Sequence, residues 1–298
     1  MKCNQAYNDQ PIAESELILN EDGTVYHLHV KEEHIADNVI VVGDPGRVAK
    51  VSSKFDSIEF KIDSREFHTH TGTYKGKRVT VISTGIGVDN IDIVVNEIDA
   101  AVNINLETRI PKKKTRSLNI IRIGTSGAMQ ENIPVGSTVA SVYAFGYDGV
   151  PWFYTPEMNE KEIAIQAAFI DSGGWKENCA KPYFVAADQE LVDLLAKDMF
   201  HGITVSANGF YGPQGRMLRL PLSNPSQTEQ FRNFRFDDLQ ITNYEMEASG
   251  LYALASMLGH KSLTVCTILA NRYRKEFSKD AKTSINELID TVLDGLTK

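Results

Sequence analysis

The chain has 298 residues, 42% hydrophobic and 23% charged, enough to bury one large core and ordinary for a packed soluble α/β domain. A formal net charge of −8 excludes a general nucleic-acid binder, which carries a basic face, so any phosphate chemistry must rest on a few local cations. Three scattered cysteines (Cys3, Cys179, Cys266) suit neither a disulfide framework nor a zinc site, and no stretch reads as a secretory signal or a membrane span; a soluble cytoplasmic protein is expected.

Residues 1–21 are polar and read as peripheral, giving an N-terminal extension at 1–24 and a single domain at 25–298. Within the domain, short apolar runs ending in glycine-rich turns alternate with helical patterns. Residues 38–42 before Gly43, 79–83 before Gly85 and 118–123 before Gly124 read as buried strands with chemistry at their carboxyl ends. Residues 89–106 place Ile91, Val94, Val95, Ile98, Ala101 and Val102 on one helical face. The basic run at 105–117, with Lys112, Lys113, Lys114 and Arg116, reads as a solvated inserted loop. Further on, 160–172, 248–258 and 284–296 read as helices and 263–269 as a strand. His68 and His70 form an isolated His-x-His, read as exposed strand residues with no metal role.

Two strand ends carry anion signals. Gly43-Asp44-Pro45-Gly46-Arg47 sets turn amides beside a guanidinium, a pattern that serves equally as an ordinary turn. In Arg122-Ile123-Gly124-Thr125-Ser126-Gly127-Ala128 an arginine sits in a buried run, which reads as an anion site because the glycines leave room for a ligand at the backbone, the alternative being a structural pair with a carboxylate elsewhere in the chain. These two blocks, with Arg65-Glu66-Phe67 and Ser83-Thr84-Gly85-Ile86-Gly87 between them in order, resemble the nucleoside phosphorylase family of uridine and purine phosphorylases; the resemblance runs from about His27 to the end.

The resemblance implies a single-domain, three-layer α/β/α fold with a central mixed, twisted sheet. It implies that Gly43, Arg47, Arg122 and Thr125 hold phosphate, with Arg65 and His27 reaching into a neighbouring subunit's site at the phosphate and the ribose respectively. Asn243-Tyr244-Glu245-Met246-Glu247 matches the family's ribose motif: Glu245, Met246 and Glu247, with Ser126, would hold the sugar, Glu247 accepting the 2′- and 3′-hydroxyls. Phe210-Tyr211-Gly212-Pro213-Gln214-Gly215-Arg216 and Ala270-Asn271-Arg272 match the uridine branch, where Phe210, Gln214, Arg216 and Arg272 would receive the base; as an extended loop, the first places Gln214 and Arg216 on one side. In that loop Gly212-Pro213 stands where bacterial relatives often have Pro-Gly. Purine enzymes would carry an acidic residue near Asn271.

The expected activity is reversible phosphorolysis of uridine to uracil and ribose 1-phosphate, with inorganic phosphate as co-substrate and no cofactor. No catalytic metal is implied, although a monovalent cation near Glu66 occurs in some relatives. The expected assembly is a homo-oligomer with shared sites, a dimer or a hexamer, without nucleic-acid or membrane partners. The alternatives are a purine or broader pyrimidine phosphorylase, a nucleosidase, or a nucleoside-binding protein without activity.

Overall fold

The computed structural model describes residues 1, 9–173, 175 and 179–298; Cys3 lies outside the described residues. The chain forms β1 (Asn38–Val42), α1 (Pro45–Ser52), β2 (Ser57–Ser64), β3 (Phe67–Tyr74), β4 (Lys77–Ser83) and α2 (Val88–Asn103). A two-residue pair, β5 (Ile104–Asn105) and β6 (Ile110–Pro111), precedes β7 (Asn119–Ala128) and β8 (Thr138–Gly146). Then come α3 (Glu160–Asp171), β9 (Tyr183–Ala186), α4 (Gln189–Leu195), β10 (Phe200–Ser206), α5 (Gln227–Asn233), β11 (Arg235–Phe236) and β12 (Leu239–Glu245). The chain closes with α6 (Ala248–Met257), β13 (Lys261–Asn271), β14 (Glu276–Phe277) and α7 (Ala281–Leu296).

The sheet is mixed: β1 runs parallel to β4 and β7, and β7 to β13, whereas β2, β3 and β4 form an antiparallel meander. Alternation of side chains along β1 shows how it sits between two helical layers. Val39 and Val41 face the core under α2 and α6, while Ile40 and Val42 face the core under α1, α4 and α7. A third apolar cluster, built on Phe145, Phe169, Phe184 and Phe231, packs under α3 and α5. The sheet also closes on itself, because β12 pairs antiparallel with β7 at Asn243–Ala128 and Tyr244–Gly127; the ring β7-β13-β8-β10-β12 results. That closure brings the Gly127 and Glu245 strand ends together.

Several expectations change. The strand expected to end before Gly124 continues to Ala128, so its glycines lie within a strand and do not make a turn, and Gly124 serves close approach. A Cβ on Gly124 would lie 1.9 Å from the Arg122 guanidinium. The helix expected to reach residue 106 stops at Asn103, where the chain turns into the β5–β6 pair. The basic run is partly tied to the body of the protein, Lys112 pairing with Glu32 (2.7 Å) and Arg116 with Asp37 (2.6 Å). In the peripheral segment Leu17 and Leu19 pack against the core. His70, expected to be exposed, is buried on β3 with its Nδ1 2.7 Å from Ser52 Oγ, because β3 lies under α1. Among the described residues no group of three or more His, Cys, Asp or Glu side chains could hold a metal ion, and no helix is long and apolar enough to cross a membrane.

Candidate active site

The carboxyl ends of β1, β4, β7 and β12, with the late part of β13, enclose one cleft of 740 Å³. Gly43 follows β1 and lies against the next strand's turn, where a Cβ would stand 3.2 Å from the Gly85 carbonyl oxygen. Asp44 then caps α1 by accepting from the Gly46 amide (2.9 Å), and Pro45 occupies the first helical turn. The Gly46 amide is therefore committed to the cap and the Arg47 amide to the Asp44 carbonyl (2.9 Å), so these two amides do not face an anion as expected. What the motif presents is the Arg47 guanidinium. It is buried, donates from Nη1 to the Ile123 carbonyl (3.0 Å), leaves Nε without a partner, and forms no ion pair among the described residues. Burial, and after it the adjacent Arg122 charge, hold its pKa below the usual arginine range.

Arg122 rises from β7 beside it and, where the sequence favoured a bound anion, meets a pair of carboxylates. Nη2 bonds Glu247 Oε2, and Nη1 lies 3.5 Å from Glu245 Oε2. Burial opposes its charge, but Glu247 and Glu245 outweigh burial and hold its pKa above the usual arginine range. Its Nε, like that of Arg47, is buried and has no partner among the described residues. Cys266 Sγ lies 3.7 Å from Nη1, and burial pushes this thiol up to about 12. Thr125 lines the cleft, as does Ser126, whose Oγ accepts from Asn243 Nδ2 (3.0 Å).

The two acidic residues of the sugar motif differ. Glu245 ends β12 and caps α6, accepting from Ser206 Oγ (2.5 Å), Glu247 N (2.9 Å) and, with both oxygens, Ala248 N (3.0 Å). Burial raises its pKa against the pull of Arg122. It is saturated by groups that build the site. Glu247 has capacity to spare: one oxygen accepts from the Gly87 amide (2.7 Å), the other from Arg122, and each retains a lone pair. Met246 lies between them on the cleft wall.

At the base loop, Phe210, Gln214 and Arg216 all line the cleft. Residues Gly212–Gln214 form a tight 3-10 turn followed by Gly215 at φ 68°, so the loop is not extended as expected; the turn itself brings Arg216 Nη1 onto Gln214 Oε1. The Arg216 guanidinium also lies 4.0 Å above the Phe210 ring. Tyr147 Oη (2.6 Å) and Gln227 Nε2 (2.7 Å) both donate to the Pro213 carbonyl. Arg272 stands behind the loop, donating to the Gln214 carbonyl (2.6 Å) with its guanidinium 5.2 Å from the Tyr244 ring. Asn271 holds the carbonyls of Gln130 and Ile133 (2.8 Å each) and is used up in structure.

His27 and Arg65 do not line this cleft. Arg65 is exposed, its guanidinium 5.5 Å from the Tyr26 ring, and His27 Nδ1 lies 2.5 Å from Glu97. Glu66 does line the cleft, 3.4 Å from Asn90 Nδ2. Tyr244, Ile86, Asn90 and Phe277 were given no role by sequence; Gly85-Ile86-Gly87 offered a signal through its order among the motifs, whereas nothing near Phe277 distinguished it.

Comparisons with known proteins agree with this architecture. The family model of the phosphorylase superfamily matches residues 37–294. A uridine phosphorylase of Thermococcus kodakarensis is 32% identical over 269 residues, covering 87% of this chain and 82% of the relative. A DeoD-type purine nucleoside phosphorylase of Bacillus thuringiensis is 26% identical over 272 residues, covering 90% and 97%. A solved Trypanosoma brucei nucleoside phosphorylase, described as showing uridine phosphorylase activity, aligns with a TM-score of 0.86 at 30% identity over 94% of this chain and 99% of that one. With a family match across most of its length and a cleft formed at the matched strand ends, this chain belongs to the phosphorylase superfamily.

Proposed function

We propose that the chain is a uridine phosphorylase, splitting uridine reversibly with inorganic phosphate into uracil and ribose 1-phosphate without a cofactor. One observation carries phosphorolysis: two adjoining buried guanidiniums, Arg47 and Arg122, of which Arg47 has no counter-ion among the described residues, line the same cleft as Glu247. A buried, unpaired arginine is costly, and an anion repays the cost. Water as nucleophile needs no such pair, which argues against a nucleosidase.

Phosphate on Arg47, Arg122, Thr125 and the Gly43 turn would lie beneath C1′, its orientation supplying much of the rate. Glu247 takes the vicinal hydroxyls and Met246 packs on the sugar. As the glycosidic bond breaks, positive charge grows on ribose beside the phosphate and negative charge on uracil beside Gln214 and Arg216, with Arg272 holding their loop. The uridine choice is supported by this amide–guanidinium pair and by the Thermococcus and Trypanosoma relatives. The purine reading keeps one support, the DeoD-type relative.

In this reading residues 25–298 are the catalytic domain, 1–24 an extension and 105–117 an insertion, and the protein works in the cytoplasm. Sites are shared within a homo-oligomer, His27 and Arg65 each serving a neighbour, and a monovalent cation near Glu66 is part of the same proposal. Incubation with uridine, thymidine and inosine, with and without phosphate, tests the function. Uracil release that requires phosphate is expected; release without phosphate overturns phosphorolysis, and inosine cleavage without uridine cleavage overturns the base assignment.

A further inference from the structure

We infer that Glu97 is a positioning residue, which orients the His27 imidazole toward the sugar held by a neighbouring copy; this rests on the shared-site reading above. The Glu97 carboxylate, halfway along α2, accepts from the His27 amide (3.0 and 3.1 Å) and the Leu28 amide (2.8 Å), and meets His27 Nδ1 at 2.5 Å. The amide bonds alone would hold the turn. The third contact fixes the ring, and because a carboxylate only accepts, Nδ1 carries the proton and Nε2 is left free for another partner.

The turn itself is held stiffly. Val25 N donates to the Val30 carbonyl (3.1 Å), His29 N to the Val25 carbonyl (3.1 Å), and Asn20 Nδ2 to the Val25 carbonyl (2.8 Å). His29 adopts a left-handed φ of 53°, a conformation that costs about 1 kcal/mol or more and persists only where the surroundings enforce it. This ordering serves an imidazole that does not touch its own chain's cleft.

The helix shows why. The Gly87 amide at the start of α2 holds Glu247, and Glu97 lies ten residues further along, about 15 Å at the helical rise. One rigid bar thus holds a sugar carboxylate at one end and His27 near its middle, too far apart to meet one sugar. Arg65 shares the His27 face through Tyr26, whose ring lies 4.8 Å from His27 and 5.5 Å from the Arg65 guanidinium. Both groups therefore form one outward patch, ready for a second copy.

The test is a double-mutant cycle on the full-length protein, with separate KM values for uridine and phosphate. His27→Ala is expected to raise the uridine KM about tenfold, the loss of one hydrogen bond. Glu97→Gln should do nearly the same, the double variant no more, and the phosphate KM should stay put in all three. An unchanged uridine KM in His27→Ala overturns the shared-site reading. An effect of His27→Ala that Glu97→Gln does not share, or additive effects in the double variant, overturns the positioning role alone. Imidazole 15N spectra of the unaltered protein add a reading independent of folding: an Nδ1-protonated His27 is expected, and a neutral ring protonated at Nε2 overturns the assignment.

Discussion

At the scale of single residues, the site is built from charges placed where burial penalises them. Among the described residues Arg47 has one carbonyl partner and no counter-ion, so its guanidinium is the group that gains most from an incoming anion. Arg47→Ala is expected to raise the phosphate KM about 10- to 100-fold, equivalent to roughly 1.5–3 kcal/mol for a charged hydrogen bond; an unchanged phosphate KM would remove Arg47 from the anion site. Gln214 acts through different atoms, its carbonyl held by Arg272 and its side-chain oxygen by Arg216. Gln214→Ala keeps the first contact and deletes the second. Steady-state kinetics should show loss of uridine turnover with phosphate affinity kept, and equal loss of both would make the loop purely structural.

Among elements, β12 and α6 share one carboxylate junction with two separable duties. Glu245 caps α6 and binds Ser206, whereas Glu247 joins Gly87 and Arg122. Glu245→Gln is therefore expected to lower the thermal midpoint, by about 1–3 kcal/mol of stability, and Glu247→Gln to abolish most turnover with a smaller change in midpoint; calorimetry beside kinetics separates them. A pH effect belongs to the contact of β3 with α1. Burial holds the His70 pKa below 6.5, so the folded state disfavours the charged ring. Stability from this group is complete above the unfolded value near 6.5 and is lost as pH falls through the lower folded value. His70→Asn should flatten the decline in thermal midpoint across that acidic window, and an unchanged slope would discount His70.

The parts of these elements legible in the sequence were those with strong local patterns. The apolar run of β1, the single apolar face of α2 and the buried α6 announce themselves through periodicity. The extension of β7 through Gly124 and Gly127 did not, because glycine is read locally as a turn, while here Gly124 is demanded by the Arg122 side chain and by Cys266 of β13 alongside. The carboxylate partners of Arg122 lie more than 120 positions away on β12 and the loop before α6, a pairing no spacing rule exposes. Gln214 and Arg216 were legible as a pair through family order, although their meeting depends on a 3-10 turn rather than on an extended loop.

For the whole molecule, the bridge between β12 and β7 turns part of the sheet into a ring, so the strand carrying Arg122 and the strand leading to Glu247 cannot drift apart without breaking it. Assembly is argued at this scale too. The β5–β6 pair and the basic run after it stand out from the end of α2, partly fixed by Lys112 and Arg116. We propose that an insertion there obstructs ring assembly and favours a dimer. Sedimentation velocity should give twice the chain mass of 33.2 kDa, and a sixfold mass would show that the insertion leaves a ring free to form.

The bond between Arg122 and Glu247 has a thermodynamic consequence. In the substrate-free site the guanidinium proposed for phosphate and the carboxylate proposed for ribose neutralise one another. Phosphate drawing on Arg122 loosens its hold on Glu247, and a sugar drawing on Glu247 loosens the same bond from the other side. The two substrates should therefore promote each other's binding, and linkage requires the factor to be the same in both directions. Calorimetric titration of uracil nucleoside analogues with and without phosphate, and of phosphate with and without the analogue, should return one coupling constant above unity.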